Sequence, residues 1–426
     1  MKILSNILKK QNAFRIISAI ILCLFNVKTL TSQTNTNCLI GIPHKFEEIA
    51  ISLGSGKKIN WNNIEVLDTT LVSKKDKNSI CLPKTFYILH NKDDNQKFWI
   101  AKLTSYIENS SVFCKDSCFG LVNLYQQFLT LNHDTSNAEL YKNTTLEYWA
   151  NYIIPMQECE SGLTNRKFTS IQTYDGTGIT IGHLQFASHV PNGDFVIFLK
   201  LLLERYPNTM SQYFPDLVLN EKNRICKMSG NQCDSLENDS TTSLLQKYFN
   251  PDPNKIDTIE IINFAKWVDL IQRNDTIRFA LDTFGILLIK DSIVKISEYK
   301  EIKNYYFGET TKRILPDYIC LLMSDLIHNQ GKIKNVDGFT RILKNPNLNN
   351  LLKFQILNDC CSKATRKSTL FMYTMKLIKE GKLGKRYYDY NTDTLIEVDY
   401  ENENPPLGID KTDYEFNKEA IERIRN

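Results

Sequence analysis

The sequence predicts a mainly helical α+β fold in which one small β-hairpin interrupts a series of helices. Apolar residues recur at helical spacing in several segments after residue 144, and strand-like alternation surrounds the turn Asp175-Gly-Thr-Gly. Short strand-like segments before residue 143 indicate a mixed N-terminal region. The chain has 426 residues, of which 42% are hydrophobic and 23% charged, which is typical of a globular protein of about two domains.

The first 32 residues have the features of a secretion signal. Four basic residues lie among the first fifteen, and the apolar run at 16–25 is too short to span a bilayer as a mature helix. We expect cleavage before Gln33 and an exported protein that is not held in a membrane. An uncleaved N-terminal anchor is the alternative.

Removing this segment changes the charge balance. The whole chain has 52 basic and 48 acidic residues, but residues 1–32 hold five basic residues and no acidic one. The remainder has 47 basic and 48 acidic residues, a net charge of −1. This balance gives no reason to expect nucleic-acid binding.

Ten of the 11 cysteines follow residue 32, which favours disulfides in an exported protein. Cys226 and Cys233 bracket a polar loop and form one candidate pair, and Cys114 and Cys118 form another. Cys159, between two glutamates, is also expected in a disulfide. No histidine lies at zinc-site spacing from a cysteine pair, and we expect neither a metal nor an organic cofactor.

Residues 33–143 carry no motif that indicates a function. Residues 84–89 and 97–102 are expected to form short strands around the turn at 91–95, and residues 120–131 to form a helix. The role of this region is left open.

Around residue 144 the pattern becomes that of an amphipathic helix. Thr144 and Glu147 form a capping-box signature, and apolar residues then recur at helical spacing. Pro155 must kink or restart the helix, and Gly162 is a natural stop. Glu160 is therefore expected in the last helical turn.

The next segment changes to strand character. Residues 168–174 and 179–186 flank the Asp175-Gly turn and predict a β-hairpin. Four helices are expected after it, the second opened by a capping box of Asp257 and Glu260. They cover residues 195–206, 259–272, 316–328 and 351–379.

Glu160 and Asp175 together suit the hydrolysis of a glycosidic bond. That reaction needs one carboxyl group that gives a proton to the leaving oxygen and a second that stays ionised as base or nucleophile. Gly176 and Gly178 remove side-chain bulk where a sugar would approach. The hydroxyl of Thr180, on the following strand, would hold the attacking water against Asp175, although a plain strand residue is an equal alternative.

Helical phase favours Glu160 over Glu158 as the acid. Glu160 shares a face with Met156, Ile153 and Trp149, where partial desolvation favours the protonated form, whereas Glu158 lies on a more polar face. Solvated helix residues are the competing interpretation for both glutamates.

Glu160-Ser-Gly-Leu followed by Asp175-Gly-Thr-Gly-Ile-Thr-Ile-Gly resembles the active-site segment of the family-46 chitosanases, which belong to the lysozyme-like superfamily. The resemblance continues through Gly193-Asp194, Ser324-Asp325-Leu-Ile-His-Asn-Gln-Gly and Thr365-Arg366-Lys367 to Glu403-Asn-Pro-Pro-Leu. It covers residues 144–407 and implies a lysozyme-like two-lobed helical domain with its hairpin at the active site.

The resemblance also implies roles for single residues. Glu160 would be the acid, Asp175 would activate a water that Thr180 positions, and the anomeric centre would be inverted. Asp194 would bind sugar, and Asp325 would pair with Arg366 in a structural charge network. We add Gly178, Gln185 and His183 as further candidates for contact with substrate, His183 also being open to a structural interpretation.

The sequence therefore predicts a secreted, monomeric, endo-acting glycoside hydrolase that cleaves β-1,4 bonds of a chitosan-like amino-sugar polymer. Its expected parts are a signal peptide (1–32), an N-terminal region (33–143), a catalytic domain (144–407) and a C-terminal tail (408–426). A second arginine of the family network, expected near Met375, is absent from the sequence.

Two alternatives remain at this point. His183-Leu-Gln185-Phe and Asn329-Gln-Gly are similar to related bacterial muramidases, so peptidoglycan is a second candidate substrate. A non-catalytic glycan-binding surface protein is the alternative from another class. Residues 147–200 include five acidic and three basic residues, and this acidic surplus slightly favours a cationic polymer as substrate.

Overall fold

The computed structural model describes residues 59–71, 84–106, 118–123, 138–161, 168, 170–173, 177–307 and 313–397. The expected signal peptide, Cys114, Asp175 and the tail at 408–426 lie outside these residues. One compact unit consists of residues 49–69 and 85–426, so the chain on both sides of residue 143 belongs to it. The other unit consists of residues 1–48 and 70–84, of which only residues 70, 71 and 84 are described.

A four-stranded sheet forms the described N-terminal part, in the order β1 (Ile64–Leu71), β2 (Lys84–Asn91), β3 (Gln96–Tyr106) and β4 (Cys118–Asn123). The hairpin of β2 and β3 around residues 92–95 confirms the two expected strands. The helix expected from Gly120 is wrong at its start, because residues 118–123 pair antiparallel with residues 101–106 of β3. Strand pairing outweighs the local helical pattern there.

The helix before the candidate site is two helices, α1 (Glu147–Tyr152) and α2 (Ile154–Ser161). Pro155 lies at the second position of α2, where a missing N–H removes no helical hydrogen bond. The expected capping pair is wrong, because the Thr144 hydroxyl accepts from the Leu146 N–H and the Glu147 carboxylate accepts from the Asn143 N–H. Helix α1 therefore starts at Glu147.

The hairpin is shifted from its expected place. Strands β5 (Thr180–Ile181) and β6 (Phe186–Ala187) pair around residues 182–185, whereas the segment before Asp175 contributes a single bridge from Gln172 to Thr180. Gly178 has a φ of +91°, and a Cβ there would lie 2.8 Å from the Cβ of Gln246. The space beside this glycine is thus filled by protein.

Helices make up most of the remaining chain, which confirms a mainly helical α+β protein with small antiparallel sheets. Their bounds are α3 (Asp194–Arg205), α4 (Pro207–Tyr213), α5 (Ser243–Phe249), α6 (Thr258–Arg273), α7 (Asp275–Ser292), α8 (Lys300–Phe307), α9 (Asp317–Gln330), α10 (Val336–Leu343), α11 (Asn350–Cys361) and α12 (Ala364–Lys379).

Three of the four expected helices are present as α3, α6 and α9. The single helix expected over 351–379 is wrong, because it ends at Cys361 and restarts at Ala364. At the break, the Ser362 hydroxyl donates to the Asn358 side chain, whose amide donates to the Lys367 carbonyl. Side-chain hydrogen bonds replace the helical ones across the turn.

Two further small sheets complete the described fold. Strands β7 (Leu217–Leu219), β8 (Ile225–Ser229) and β9 (Gln232–Ser235) form one, and β10 (Arg386–Asp389) pairs with β11 (Thr394–Glu397) in the other. A disulfide joins Cys226 to Cys233, which confirms that pair. In the described part of the chain, no helix combines the length and apolar character needed to cross a membrane.

A buried carboxyl group connects the sheet, the hairpin segment and α6. The Thr173 hydroxyl donates to Glu260 and accepts from the Leu121 N–H at 2.8 Å, and the Thr173 N–H donates to the Leu121 carbonyl. Burial raises the pKa of Glu260 to about 8, against the hydrogen bonds from Thr173 and the Asp257 amide. The chain is thus fixed on both sides two residues before Asp175.

Replacing Gly178 by alanine is expected to destabilise the fold more than the same change at Gly230. Both glycines have positive φ, but a Cβ at Gly230 would meet nothing within 4 Å. The backbone strain, about 1–2 kcal/mol, is common to both, and overpacking against Gln246 adds about 1–3 kcal/mol at Gly178. Urea unfolding of both variants measures the difference; equal losses would contradict the tight packing.

Glu260→Gln is expected to flatten the pH dependence of stability. The carboxyl group has a pKa of about 4.3 when unfolded and about 8 when folded. Its contribution to stability is therefore full below about pH 4.3 and is lost as the pH rises through 8, with a slope of at most ~1.4 kcal/mol per unit. Unfolding free energies from pH 4 to 9 test this, with exposed Glu204→Gln as control. An unchanged slope would refute it.

Candidate functional site

Glu160 lies in the last turn of α2, as expected from the sequence. The helical-phase argument that selected it does not hold, because the helix breaks at Ile153 and Glu158 is the more buried glutamate, with 7% exposure. The Glu160 side chain is 14% exposed. What distinguishes Glu160 is its set of partners rather than an apolar face.

Arg366, near the start of α12, joins Glu160 to Asp325 of α9. Its Nη1 lies 2.6 Å from Glu160 Oε1, its Nε lies 3.3 Å from Asp325 Oδ2, and its Nη2 contacts Asp325 Oδ1. The expected pair of Asp325 and Arg366 is thus present, and Glu160 extends it into a triad. A guanidinium group suits this arrangement because its donors form a rigid planar fork.

The triad is deeply buried. Asp325 is 1% exposed and Arg366 is 4% exposed. Burial alone would lower the pKa of Arg366, but the Asp325 and Glu160 carboxylates outweigh it and raise that pKa above its usual range. Burial raises the pKa of Asp325, with Arg366 opposing the shift. Arg366 is therefore a fixed cation whose position is set by two carboxylates.

Helix α9 supplies two further residues that the sequence reasoning did not select. His328 and Asn329 follow Asp325 by three and four positions, so all three lie on one face. Asn329 Nδ2 donates to Glu160 Oε1 at 3.4 Å, and His328 Nδ1 lies 3.7 Å from Asp194 Oδ2. The spacing from Asp325 is the signal that would have found them.

Asp194 is the first residue of α3 and is joined to the site through His328. The other ring nitrogen of His328 lies 3.3 Å from the Leu184 carbonyl of the hairpin turn. One helix face thus gathers six residues, which we call the α9 cluster. Its members are Glu160, Asp194, Asp325, His328, Asn329 and Arg366.

The two oxygens of Glu160 have different surroundings. Oε1 accepts both hydrogen bonds, from Arg366 and from Asn329. Oε2 has no hydrogen-bond donor among the described residues. A carboxyl group held by one oxygen can carry a proton on the other and present it to a bound molecule.

Thr180, the first residue of β5, is only 2% exposed. Its hydroxyl shares a hydrogen bond of 2.8 Å with the hydroxyl of Thr177. The amide of Gln246 donates to the Thr177 carbonyl at 2.7 Å. The hairpin segment that carries Thr180 is therefore attached to α5.

Three residues that are expected to contact substrate also support the hairpin. His183 is fully buried, 3.4 Å from Asp282, and Gly178 packs on Gln246. The Gln185 side-chain amide donates to the Gly182 carbonyl at 2.6 Å and to the Ser170 hydroxyl at 2.8 Å. Turn formation and packing use these groups, and their expected contact with substrate stays a prediction.

Cys159 is a free thiol, which corrects the disulfide expected there. Its Sγ lies 3.7 Å from the Arg366 carbonyl and donates to it. Burial raises the pKa of this thiol to about 12. Cys159 is therefore a packing residue of the contact between α2 and α12 rather than a nucleophile. No group of three or more His, Cys, Asp or Glu residues suited to a metal ion occurs in the described ranges.

Comparisons with models of known protein families, with curated proteins and with solved structures find no match for this chain. The resemblance to chitosanases therefore rests on the quoted residues and motifs. What that resemblance implies about lysozyme-like lobes and activity stays a prediction.

Arg366→Met is expected to destabilise the protein by roughly 3–5 kcal/mol, because it leaves Asp325 as a buried charge without its partner. Adding Asp325→Leu should recover much of that loss, since the uncompensated charge is then removed. Urea unfolding of the single and double variants measures both effects, with the exposed Arg341→Met as control. A single variant as mild as the control would contradict the triad's structural importance.

Proposed function

We propose that this protein is an inverting, endo-acting glycoside hydrolase that cleaves β-1,4 bonds of a chitosan-like amino-sugar polymer. The observation that carries the proposal is the hydrogen bonding of Glu160. Its Oε1 accepts from Arg366 and Asn329, while its Oε2 has no donor among the described residues. A general acid needs a fixed carboxyl group with one oxygen directed at substrate.

In this mechanism, Glu160 gives its proton to the glycosidic oxygen as the bond to C1 breaks. A water attacks C1 from the opposite face, and Asp175 accepts a proton from that water. The Thr177–Thr180 hydroxyl pair would hold the water. The carboxylate left on Glu160 is stabilised by Arg366 and Asn329 until solvent returns the proton, and the product has the inverted configuration.

The charges of the α9 cluster favour a cationic polymer over a neutral or anionic one. Three carboxylates, those of Glu160, Asp194 and Asp325, are accompanied by one guanidinium group and one imidazole. A surplus of carboxylates attracts the ammonium groups of a deacetylated amino-sugar chain. Peptidoglycan remains the second candidate, and a non-catalytic glycan-binding protein is the alternative from another class. We further propose that the protein is exported and acts as a monomer.

Glu160→Gln is expected to lower kcat on chitosan by about 10²–10⁴-fold, because the amide keeps Oε1 for Arg366 but has no proton to donate. Release of reducing ends from soluble chitosan measures the rate, and melting curves check that the variant is folded. Glu158→Gln, on the same helix and equally conservative, is the matched control and should retain activity.

The same assay on purified peptidoglycan distinguishes the two polymers. A wild-type protein that cuts neither polymer would refute the hydrolase proposal in favour of the binding protein. Loss of activity in Glu158→Gln but not in Glu160→Gln would refute the acid assignment alone. Early products examined by NMR should carry the inverted anomer; retained configuration would overturn the water-attack mechanism.

A further inference from the structure

A groove unrelated to the α9 cluster lies between the N-terminal turn at Trp61 and helix α4. Its volume is about 450 Å³, within the usual range of small-molecule sites. It shares no residue with the α9 cluster. The residues that line it are Ile59, Asn60, Trp61, Asn62, Ser211, Gln212, Tyr213, Pro215 and Lys266.

Two aromatic rings form one part of the groove. The centroids of Trp61 and Tyr213 are 6.0 Å apart, with planes inclined by 48°. The Tyr213 hydroxyl donates to Asp269 at 3.0 Å, which fixes its ring. Trp61 is half-buried, and its indole N–H has no acceptor among the described residues. The apolar ring faces suit the C–H face of a pyranose, and the indole N–H suits a sugar oxygen.

The polar groups of the groove are held in place yet keep free hydrogen-bonding capacity. Asn60 donates to Asp93 at 2.9 Å and accepts from the Asn62 N–H, so the Trp61 turn is pinned. Gln212 and Ser211 both donate to the Asn208 carbonyl at 3.1 Å. Their side-chain oxygens remain available as acceptors for hydroxyl groups.

Lys266 gives the groove its charge. Its ammonium group lies 5.4 Å from the centroid of the Phe214 ring and forms no ion pair with any described residue. Burial lowers the pKa of this lysine, and Asp216 opposes the shift. A half-buried cation that forms no ion pair with a described carboxylate attracts carbonyl or carboxylate oxygens and repels ammonium groups.

We propose that this groove is a second glycan-binding site, which takes an N-acetylated hexosamine unit and rejects a deacetylated one. Trp61 stacks on the sugar ring, Lys266 donates to the acetyl carbonyl, and the oxygens of Ser211 and Gln212 accept from the sugar hydroxyls. The site does not depend on cleavage at Glu160. It would bind acetylated stretches of a partly acetylated polymer while deacetylated stretches enter the acidic cluster.

The test is calorimetric titration of the whole chain carrying Glu160→Gln, which is expected to slow hydrolysis, with the N-acetylglucosamine tetramer and with the glucosamine tetramer. Trp61→Ala and Lys266→Gln are each expected to weaken binding of the acetylated tetramer about tenfold, as for an interface residue that carries binding energy. Matched controls are Phe279→Ala, an exposed aromatic residue, and Lys247→Gln, an exposed lysine; both should bind as the parent does.

Lys266→Gln decides the result if Trp61→Ala does not fold, as checked by melting curves. In the background with Glu160 intact, Trp61→Ala should cut a short soluble substrate at the parental rate, which separates this proposal from the hydrolase proposal. Unchanged binding of the acetylated tetramer in both groove variants, no binding of that tetramer, or an equal loss of glucosamine-tetramer binding in the groove variants would each overturn the second site.

Discussion

A buried guanidinium group between two carboxylates is the constraint on which the candidate site depends. Arg366 can remain charged in the interior only because Asp325 and Glu160 accept its hydrogen bonds. Those contacts join α2, α9 and α12, which are far apart along the chain. The orientation of Glu160 is thus fixed by the requirement that a buried cation be neutralised, not by the rotamer preference of an exposed glutamate.

Helix α9 extends this constraint to the hairpin and to α3. Asp325 holds Arg366 in the interior, and one turn later His328 contacts Asp194 and the Leu184 carbonyl. The helix ends at Gly331, in the left-handed conformation with φ of +74°, directly after the residues that it contributes. The last turn of the helix, which carries the negative end of its dipole, therefore contains His328 and Asn329.

The sequence predicted long helices well and their interruptions poorly. Helix α6 begins where Asp257 was expected to cap it, with the Asp257 carboxylate accepting from the Ile259 N–H. The restart after Ile153 was expected from Pro155, but the break at Ser362 was missed because side-chain hydrogen bonds, not periodicity, decide it. The phase argument for Glu160 then failed, since phase cannot be carried across a break in a helix.

Residues of the candidate site were predictable only where a residue type demands a partner. A buried aspartate such as Asp325 needs a cation, and the resemblance to chitosanases indicated Arg366 as that cation. The environment of Gly178 could not be predicted, because the Asp-Gly turn pattern is local and does not reveal that Gln246 occupies the adjacent space. Cys159 was placed in a disulfide for a similar reason: a free thiol depends on which cysteines are near in space.

The N-terminal sheet holds Thr173 in place, a structural role that no motif in its sequence predicts. Strand β4 exchanges two hydrogen bonds with Thr173, whose hydroxyl also donates to the buried Glu260. Thr173, which precedes Asp175 by two positions in the sequence, is thus held by the sheet on one side and by α6 on the other. Burial raises the pKa of Glu260 to about 8. Its ionisation at higher pH therefore places a buried charge between Thr173 and α6. A rise in pH would therefore destabilise the fold at Thr173, whereas the buried cation of the Arg366 triad already has two carboxylates to balance it.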